Sequence, residues 1–116
     1  MALGLKRIDH VSMAVWKLDE QVEFFTKVFG WKEAGRFTNE KEGFAGCVLD
    51  VPGADGQRQM QWEILEPIGD NSFIAKFLNE RGPGLHHVTL EVADADKAAA
   101  RLRECGIQPF GGPRVS

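Results

Sequence analysis

Apolar and polar residues alternate along several short stretches of this chain and recur with helical spacing in others. Over residues 7–15, Val11, Met13 and Val15 fall on one side and His10 falls on the other. This alternation predicts a strand with one apolar face. The same reasoning predicts a helix over 18–29, strands over 32–37, 44–51 and 60–66, a helix over 72–81, a strand over 85–92 and a helix over 96–105.

The first helix has its own start and stop signals. Leu18, Val22 and Phe25 recur at helical spacing, Asp19 is placed to act as its N-cap, and Gly30 ends it. A helix at this point makes the first part of the chain a βαβββ unit.

The first strand returns later in the chain as a similar strand. Residues 8–15 read IDHVSMAV and residues 85–92 read LHHVTLEV, which aligns His10 with His87 and Ser12 with Thr89. An internal repeat in the sequence indicates a repeated structural unit in the fold. We therefore expect an α+β fold of paired βαβββ modules within a single domain over 1–116. Module one covers about 6–67, a linker helix about 70–82 and module two about 84–116.

The second module is predicted to be truncated: the sequence is a fragment, the protein has lost the last two strands, or another chain supplies them. Its strand and helix are present, but the counterparts of the last two strands of module one would lie beyond Ser116. Unpaired strand edges favour association with another chain. We therefore expect a homodimer.

Three side chains on polar strand faces form a candidate metal site. His10 and His87 occupy equivalent places in the repeat, and Glu63 lies on the face of its strand opposite Met60 and Trp62. If the strands form one curved sheet, all three point to its concave side. Two imidazoles and a carboxylate, with positions left open, suit a divalent metal used in catalysis. The alternative for each histidine is a hydrogen-bonded polar group without a metal.

His86 gives a contrast to His87. It alternates onto the apolar side of its strand, with Val88 and Leu90. We interpret it as a structural residue or as a hydrogen-bonding group at the start of the strand.

Composition excludes several classes of function. The net charge of −3 gives no electrostatic reason for nucleic-acid binding, and no apolar run approaches a membrane span. Cys47 and Cys105 match no zinc or redox spacing, and we expect both thiols to be buried or inert. A small-molecule ligand and a cytoplasmic location are the resulting expectations.

Several motifs make the chain resemble a known superfamily. They are IDHV at 8–11, FGW at 29–31, EILEP at 63–67, IAKFL at 74–78 and GLHHV at 84–88. With these motifs the chain resembles the vicinal oxygen chelate (glyoxalase, bleomycin resistance, dioxygenase) superfamily and, within it, the methylmalonyl-CoA epimerases. The resemblance implies a glyoxalase-like fold of βαβββ modules around one divalent metal, with His10, Glu63 and His87 in three ligand positions. It does not distinguish Co, Mn, Ni, Zn or Fe.

The resemblance also implies a reaction. In the epimerases a metal-bound thioester carbonyl activates the neighbouring carbon, and acid/base groups remove and return its proton. One such group is a glutamate in the loop that here spans 39–43. Alignment on Gly43 places it at Lys41, and a shift of one residue places it at Glu42 or Glu40; our candidate is Glu42.

The predicted function is therefore a metal-dependent epimerase-like isomerase acting on an acyl-CoA or a similar oxygen-chelating acid. Two alternatives stay open. One is a member of the superfamily that binds a small molecule, as resistance proteins do, without turnover. The other is a glyoxalase or dioxygenase, since two histidines and one carboxylate also suit Fe(II).

Overall fold

A computed structural model describes residues 2–110 and has the order of elements that the sequence pattern predicts. The α+β class and the βαβββ first module are confirmed, and a strand and a helix follow after a linking helix. The elements are β1 (Leu5–Ala14), α1 (Leu18–Phe24, continued by a π-helical turn over Phe25–Phe29), β2 (Lys32–Asn39), β3 (Phe44–Pro52), β4 (Arg58–Pro67), α2 (Phe73–Arg81), β5 (Gly84–Val92) and α3 (Ala95–Glu104).

The strands form one mixed sheet in the order β2-β3-β4-β1-β5. β1 runs parallel to β4, whereas β3 runs antiparallel to both β2 and β4. Ser12 pairs with Glu63 across β1 and β4, and Val48 pairs with Glu63 across β3 and β4. Because side chains alternate along each strand, this register places His10, Ser12 and Glu63 on the same face of the sheet.

Helices pack on both faces of the sheet. One core cluster joins α1 to β1, β3 and β4, and its buried members are Val15, Leu18, Val22, Phe25, Cys47, Leu49 and Ile64. A second joins α2 to the other face, with Ala14, Leu65, Ile74 and Leu78. Leu65 lies on the same face as Glu63, two residues further along β4. The helix α2 therefore packs beside the candidate site.

The first backbone N–H groups of α1 are not capped by the residue that the sequence predicted. The prediction that Asp19 is the N-cap of α1 is wrong. Lys17 occupies the N-cap position, and its side chain makes no capping hydrogen bond. Instead, the carboxylate of Glu66 accepts a hydrogen bond from the Leu18 N–H at 3.3 Å. Asp19 lies in the first turn, where a negative charge interacts favourably with the helix dipole. A side chain from β4 thus does what a local cap was expected to do.

The strand β5 differs from its predicted burial. Val88 and Leu90, which the alternation places on the apolar face, are 54% and 48% exposed, because β5 is an edge strand of the described sheet. The sequence predicts that His86 is a structural or hydrogen-bonding residue at the start of the strand, and its Nδ1 lies 2.8 Å from the Nδ1 of His87. Its ring packs against Phe73 and Phe77 of α2, at centroid distances of 5.5 and 5.0 Å.

The chain separates into two compact units. One contains residues 9–89, and the other combines residues 2–8 with residues 90–110. In the latter, the Ala93 N–H donates to the Gly4 carbonyl at 2.9 Å, and Arg7 lies 3.4 Å from Glu91. All candidate site residues belong to the unit of residues 9–89. The predicted module bounds stay a prediction.

The two cysteines have different surroundings. Cys47 is fully buried, and burial raises the pKa of its thiol to about 11, in agreement with an inert group. Cys105 is exposed, so for this thiol the expectation of an inert group stays a prediction. Among the described residues, no helix combines the length and the apolar character that a membrane crossing requires. The cytoplasmic location stays a prediction.

Candidate metal centre

His10 lies on β1 with both ring nitrogens in contact with neighbouring groups. Its Nδ1 is 2.9 Å from the Oδ2 of Asp9, and its Nε2 is 3.1 Å from the hydroxyl of Thr89 on β5. A carboxylate can only accept, so Nδ1 carries the proton and donates to Asp9. The lone pair of Nε2 is therefore directed into the site, where the Thr89 hydroxyl donates to it.

Glu63 reaches the site from β4, the neighbouring strand. The Ser12 hydroxyl donates to its Oε1 at 2.5 Å, which follows from the direct pairing of these two residues across the strands. The same oxygen lies 4.0 Å from the Nε2 of His10. The Glu63 side chain is 20% exposed, so the carboxylate is partly desolvated and still accessible.

His87 completes the group from β5. Its Nε2 is 3.0 Å from the Ser12 hydroxyl, and its Nδ1 is 2.8 Å from the Nδ1 of His86. Although the residue as a whole is exposed, desolvation of its ring lowers the pKa of His87, and the neighbouring His86 charge acts in the same direction. Neutral imidazole is the form that binds metals.

The three predicted ligands converge. One ligand atom from each of His10, Glu63 and His87 lies within 4.8 Å of the others, and the two imidazole rings are 5.7 Å apart at their centroids. Two nitrogens and one carboxylate oxygen are a donor set for Zn, Fe, Co, Ni or Mn, and three ligands leave coordination positions for substrate. The residues present therefore fit a divalent metal.

The repeat extends to the hydroxyls around the ligands. Ser12 follows His10 by two residues and contacts His87, whereas Thr89 follows His87 by two residues and contacts His10. Sequence reasoning aligned these two residues but gave them no role. The signal was present, because a hydroxyl recurs at the same distance from each histidine.

Glu42 is not brought to the predicted ligands. It lies in the turn between β2 and β3, where its N–H donates to the Asn39 side chain at 2.9 Å. A surface cavity of about 250 Å³ adjoins it and is also lined by Ile68 and Asp70. The acid/base role of Glu42 thus stays a prediction.

Comparison with known proteins agrees with this geometry. The sequence model of the glyoxalase/bleomycin resistance protein/dioxygenase superfamily matches residues 9–116. The chain belongs to this superfamily. The resemblance stated from the motifs is therefore confirmed at that level.

Several proteins of similar sequence are epimerases. An ethylmalonyl-CoA/methylmalonyl-CoA epimerase of Cereibacter sphaeroides is 30% identical over 107 residues, covering 90% of this chain and 75% of the relative. The mitochondrial methylmalonyl-CoA epimerase of Dictyostelium discoideum is 29% identical over 101 residues, covering 86% of this chain. The chain spans 57% of the length of that relative.

A solved structure gives the same result for the fold. A variant of Streptomyces coelicolor methylmalonyl-CoA epimerase in complex with 2-nitronate-propionyl-CoA superposes with a TM-score of 0.80 at 32% identity. The alignment covers 97% of this chain and 81% of that one. The glyoxalase-like fold expected for a member of the superfamily is thereby confirmed.

Proposed function

We propose that this chain is a metal-dependent acyl-CoA epimerase of the superfamily, acting at the carbon next to a thioester carbonyl. The convergence of His10, Glu63 and His87 within 4.8 Å carries the proposal. Epimerase relatives at about 30% identity, one of them solved with a CoA ligand, support the substrate class. Co, Mn, Ni, Zn and Fe all remain compatible with the donor set.

The three ligands would hold the ion, and each contacts a neighbouring side chain. Asp9 contacts His10, Ser12 donates to Glu63, and His86 contacts the ring of His87. A bound divalent ion would supply Lewis-acid chemistry, which favours loss of a proton next to a carbonyl. The protein must then provide groups that take and return that proton.

Asp50 is a candidate for this proton transfer that the structure adds. It is the only carboxylate of β3, it pairs with Gln61, and Gln61 in turn pairs with His10. Asp50 therefore lies on the same face as the ligands, and two strand spacings, about 10 Å, separate its backbone from that of His10. The Gln61 amide donates to its Oδ1 at 3.0 Å, which holds the carboxylate in place.

Glu42 is less favourably placed for the same role. Phe44, the first residue of β3 after the turn, lies about 13 Å along the strand from Val48, which is the residue opposite Glu63. The core between α2 and the sheet, which includes Leu65 and Ala14, lies at that end of the same face. Our proposal therefore ranks Asp50 above Glu42.

Exchange of the α-proton with solvent tests the proposed reaction. Methylmalonyl-CoA is incubated in D₂O with the protein and one divalent metal at a time, and deuterium at the α-carbon is followed by mass spectrometry. We expect exchange with metal, none after chelation, and recovery when the ion is restored. No exchange with any metal, or exchange that chelation leaves unchanged, would refute the proposed epimerase.

The same samples separate the alternatives. A member that only binds a small molecule would retain CoA ester in equilibrium dialysis without exchanging its proton. A dioxygenase would consume oxygen with Fe(II) and a catechol, which the ligand set also permits. Either outcome would replace the epimerase assignment.

We also propose that the protein is a homodimer in solution. The edge strand β5 exposes Leu85 and Val88, and an unpaired apolar edge favours pairing with another strand. Analytical ultracentrifugation is expected to find a dimer, and Leu85→Lys is expected to shift it toward monomer. Val28→Lys, at a residue 64% exposed on the π-helical turn, is the control. A monomer at all accessible concentrations would contradict this.

A further inference from the structure

The residue that precedes each ligand histidine contacts the Nδ1 of that histidine. Asp9 lies 2.9 Å from His10 Nδ1, and His86 lies 2.8 Å from His87 Nδ1. In the repeat, Asp9 and His86 occupy equivalent positions. Two different side chains therefore make the same contact in the two halves of the site.

The hydrogen-bond partners of His10 determine which of its ring nitrogens carries the proton. The Asp9 carboxylate accepts from Nδ1–H, which leaves the Nε2 lone pair facing Glu63. This is the tautomer that a metal ligand requires. A carboxylate in this place also makes the imidazole a stronger donor to a metal.

The hydrogen-bond partners of His87 place its proton on the other ring nitrogen. Ser12 has a single hydroxyl proton, which it donates to Glu63, so His87 Nε2 must donate to the Ser12 oxygen. His87 Nδ1 then has a lone pair and accepts from His86 Nδ1–H. For Nε2 to bind an ion, that hydrogen bond must reverse, with His87 donating and His86 accepting.

Reversal of the hydrogen bond between His86 and His87 leaves the number of protons on the two rings unchanged. His87 releases its Nε2 proton to solvent and takes the proton between the two Nδ1 atoms. His86 gives up that proton and takes one from solvent on its own Nε2. Both rings stay neutral before and after.

The packing of α2 fixes the position of His86. Its ring lies 5.5 Å from Phe73 and 5.0 Å from Phe77, with tilted and T-shaped geometries. These are favourable aromatic contacts, and they hold the ring where its Nδ1 meets His87. A helix outside the ligand set thus contacts the residue that lies against one ligand.

We infer that Asp9 and His86 are a matched pair of positioning residues, each of which sets the tautomer of the histidine that follows it. Asp9 can only accept, so it keeps the proton of His10 on Nδ1. His86 can donate or accept, so it is compatible with either tautomer of His87. The inference rests on the proposed metal function of His10 and His87. It goes beyond that function by assigning residues outside the ligand set to ligand orientation.

Metal affinity in four variants tests the pair. His86→Phe keeps the packing against Phe73 and Phe77 and removes the acceptor, whereas His86→Asn offers an amide oxygen near the same place. Competition of Zn²⁺ between the protein and a chromogenic chelator is expected to show a loss of about 10- to 100-fold for His86→Phe, with most of it restored in His86→Asn. Asp9→Ala is expected to lose affinity similarly, and Asp9→Asn less.

Nitrogen-15 NMR of the imidazoles gives a readout independent of metal loading. In the wild type without metal, His10 is expected to carry its proton on Nδ1 and His87 on Nε2, and Asp9→Ala is expected to mix the tautomers of His10. Addition of Zn²⁺ is expected to move the His87 proton to Nδ1.

The outcomes separate this inference from the proposed function. If the wild type binds no divalent ion, the proposed metal function is refuted. If the wild type binds Zn²⁺ and His86→Phe binds it equally well, only the positioning role of His86 is refuted. If the tautomer of His10 is unchanged in Asp9→Ala, the positioning role of Asp9 is refuted.

Discussion

His87→Ala is expected to lower divalent metal affinity by at least about 100-fold, because loss of a ligand should exceed the 10- to 100-fold typical of outer-shell residues. His87 contributes one of three ligand atoms that lie within 4.8 Å of each other. Alanine leaves His10 and Glu63, and two donors hold an exchangeable ion poorly. The loss would be measured by isothermal titration with Zn²⁺ or Co²⁺.

A matched variant on the same strand separates ligand loss from a general effect on β5. Glu91→Gln removes a charge four residues beyond His87, where the carboxylate pairs with Arg7 at an exposed position. It is expected to bind metal like the wild type. Wild-type affinity in His87→Ala, with both variants folded by circular dichroism, would remove His87 from the ligand set.

Asp50→Asn is expected to slow α-proton exchange by about 100- to 10,000-fold, the usual contribution of an acid/base group. Asparagine keeps the size of the side chain and its contact with Gln61, but it cannot take up a proton. Metal affinity should stay unchanged, because Asp50 does not belong to the ligand group. The measurement is the rate of deuterium incorporation with metal at saturation.

Glu42→Gln is the matched carboxylate-to-amide control. Glu42 lies in the exposed turn before β3, away from the ligands along the sheet, and its removal is expected to change exchange less than tenfold. A large loss in Glu42→Gln together with normal exchange in Asp50→Asn would reverse this assignment. It would then favour Glu42, the candidate that the family resemblance gave in the loop over 39–43.

Much of the fold could be predicted because local pattern and tertiary packing agree. The alternation of Val11, Met13 and Val15 gave β1, and the spacing of Leu18, Val22 and Phe25 gave α1. These residues bury the sides that the pattern assigned to the core. Where local signals compete with distant groups, the prediction was wrong: Asp19 resembles a cap, but Glu66 from β4 satisfies the helix start.

The ligand set could be predicted because the repeat constrains it. Two histidines at equivalent places, and Glu63 on the matching face of β4, need only strand alternation to be brought together. Asp50 could not be found this way, because its place depends on the register of β3 against β4. The same holds for His86, whose orientation is set by Phe73 and Phe77 of α2 rather than by alternation.

The repeat also had information that pattern alone did not use. Asp9 and His86 precede the ligands, and Ser12 and Thr89 follow them, yet only the side-chain distances indicate what they do. Sequence gives equivalence between positions. It does not give the direction of a hydrogen bond, which depends on how many protons each group can donate.

The central claim is that His10, Glu63 and His87 bind one divalent ion. Titration with Co²⁺, followed by visible absorption, tests it most directly, since the band position and intensity report coordination by nitrogen and oxygen ligands. We predict saturation at a single equivalent per chain in the wild type and no comparable spectrum in His87→Ala. No Co²⁺ spectrum in the wild type, or the same spectrum in both proteins, would contradict the claim.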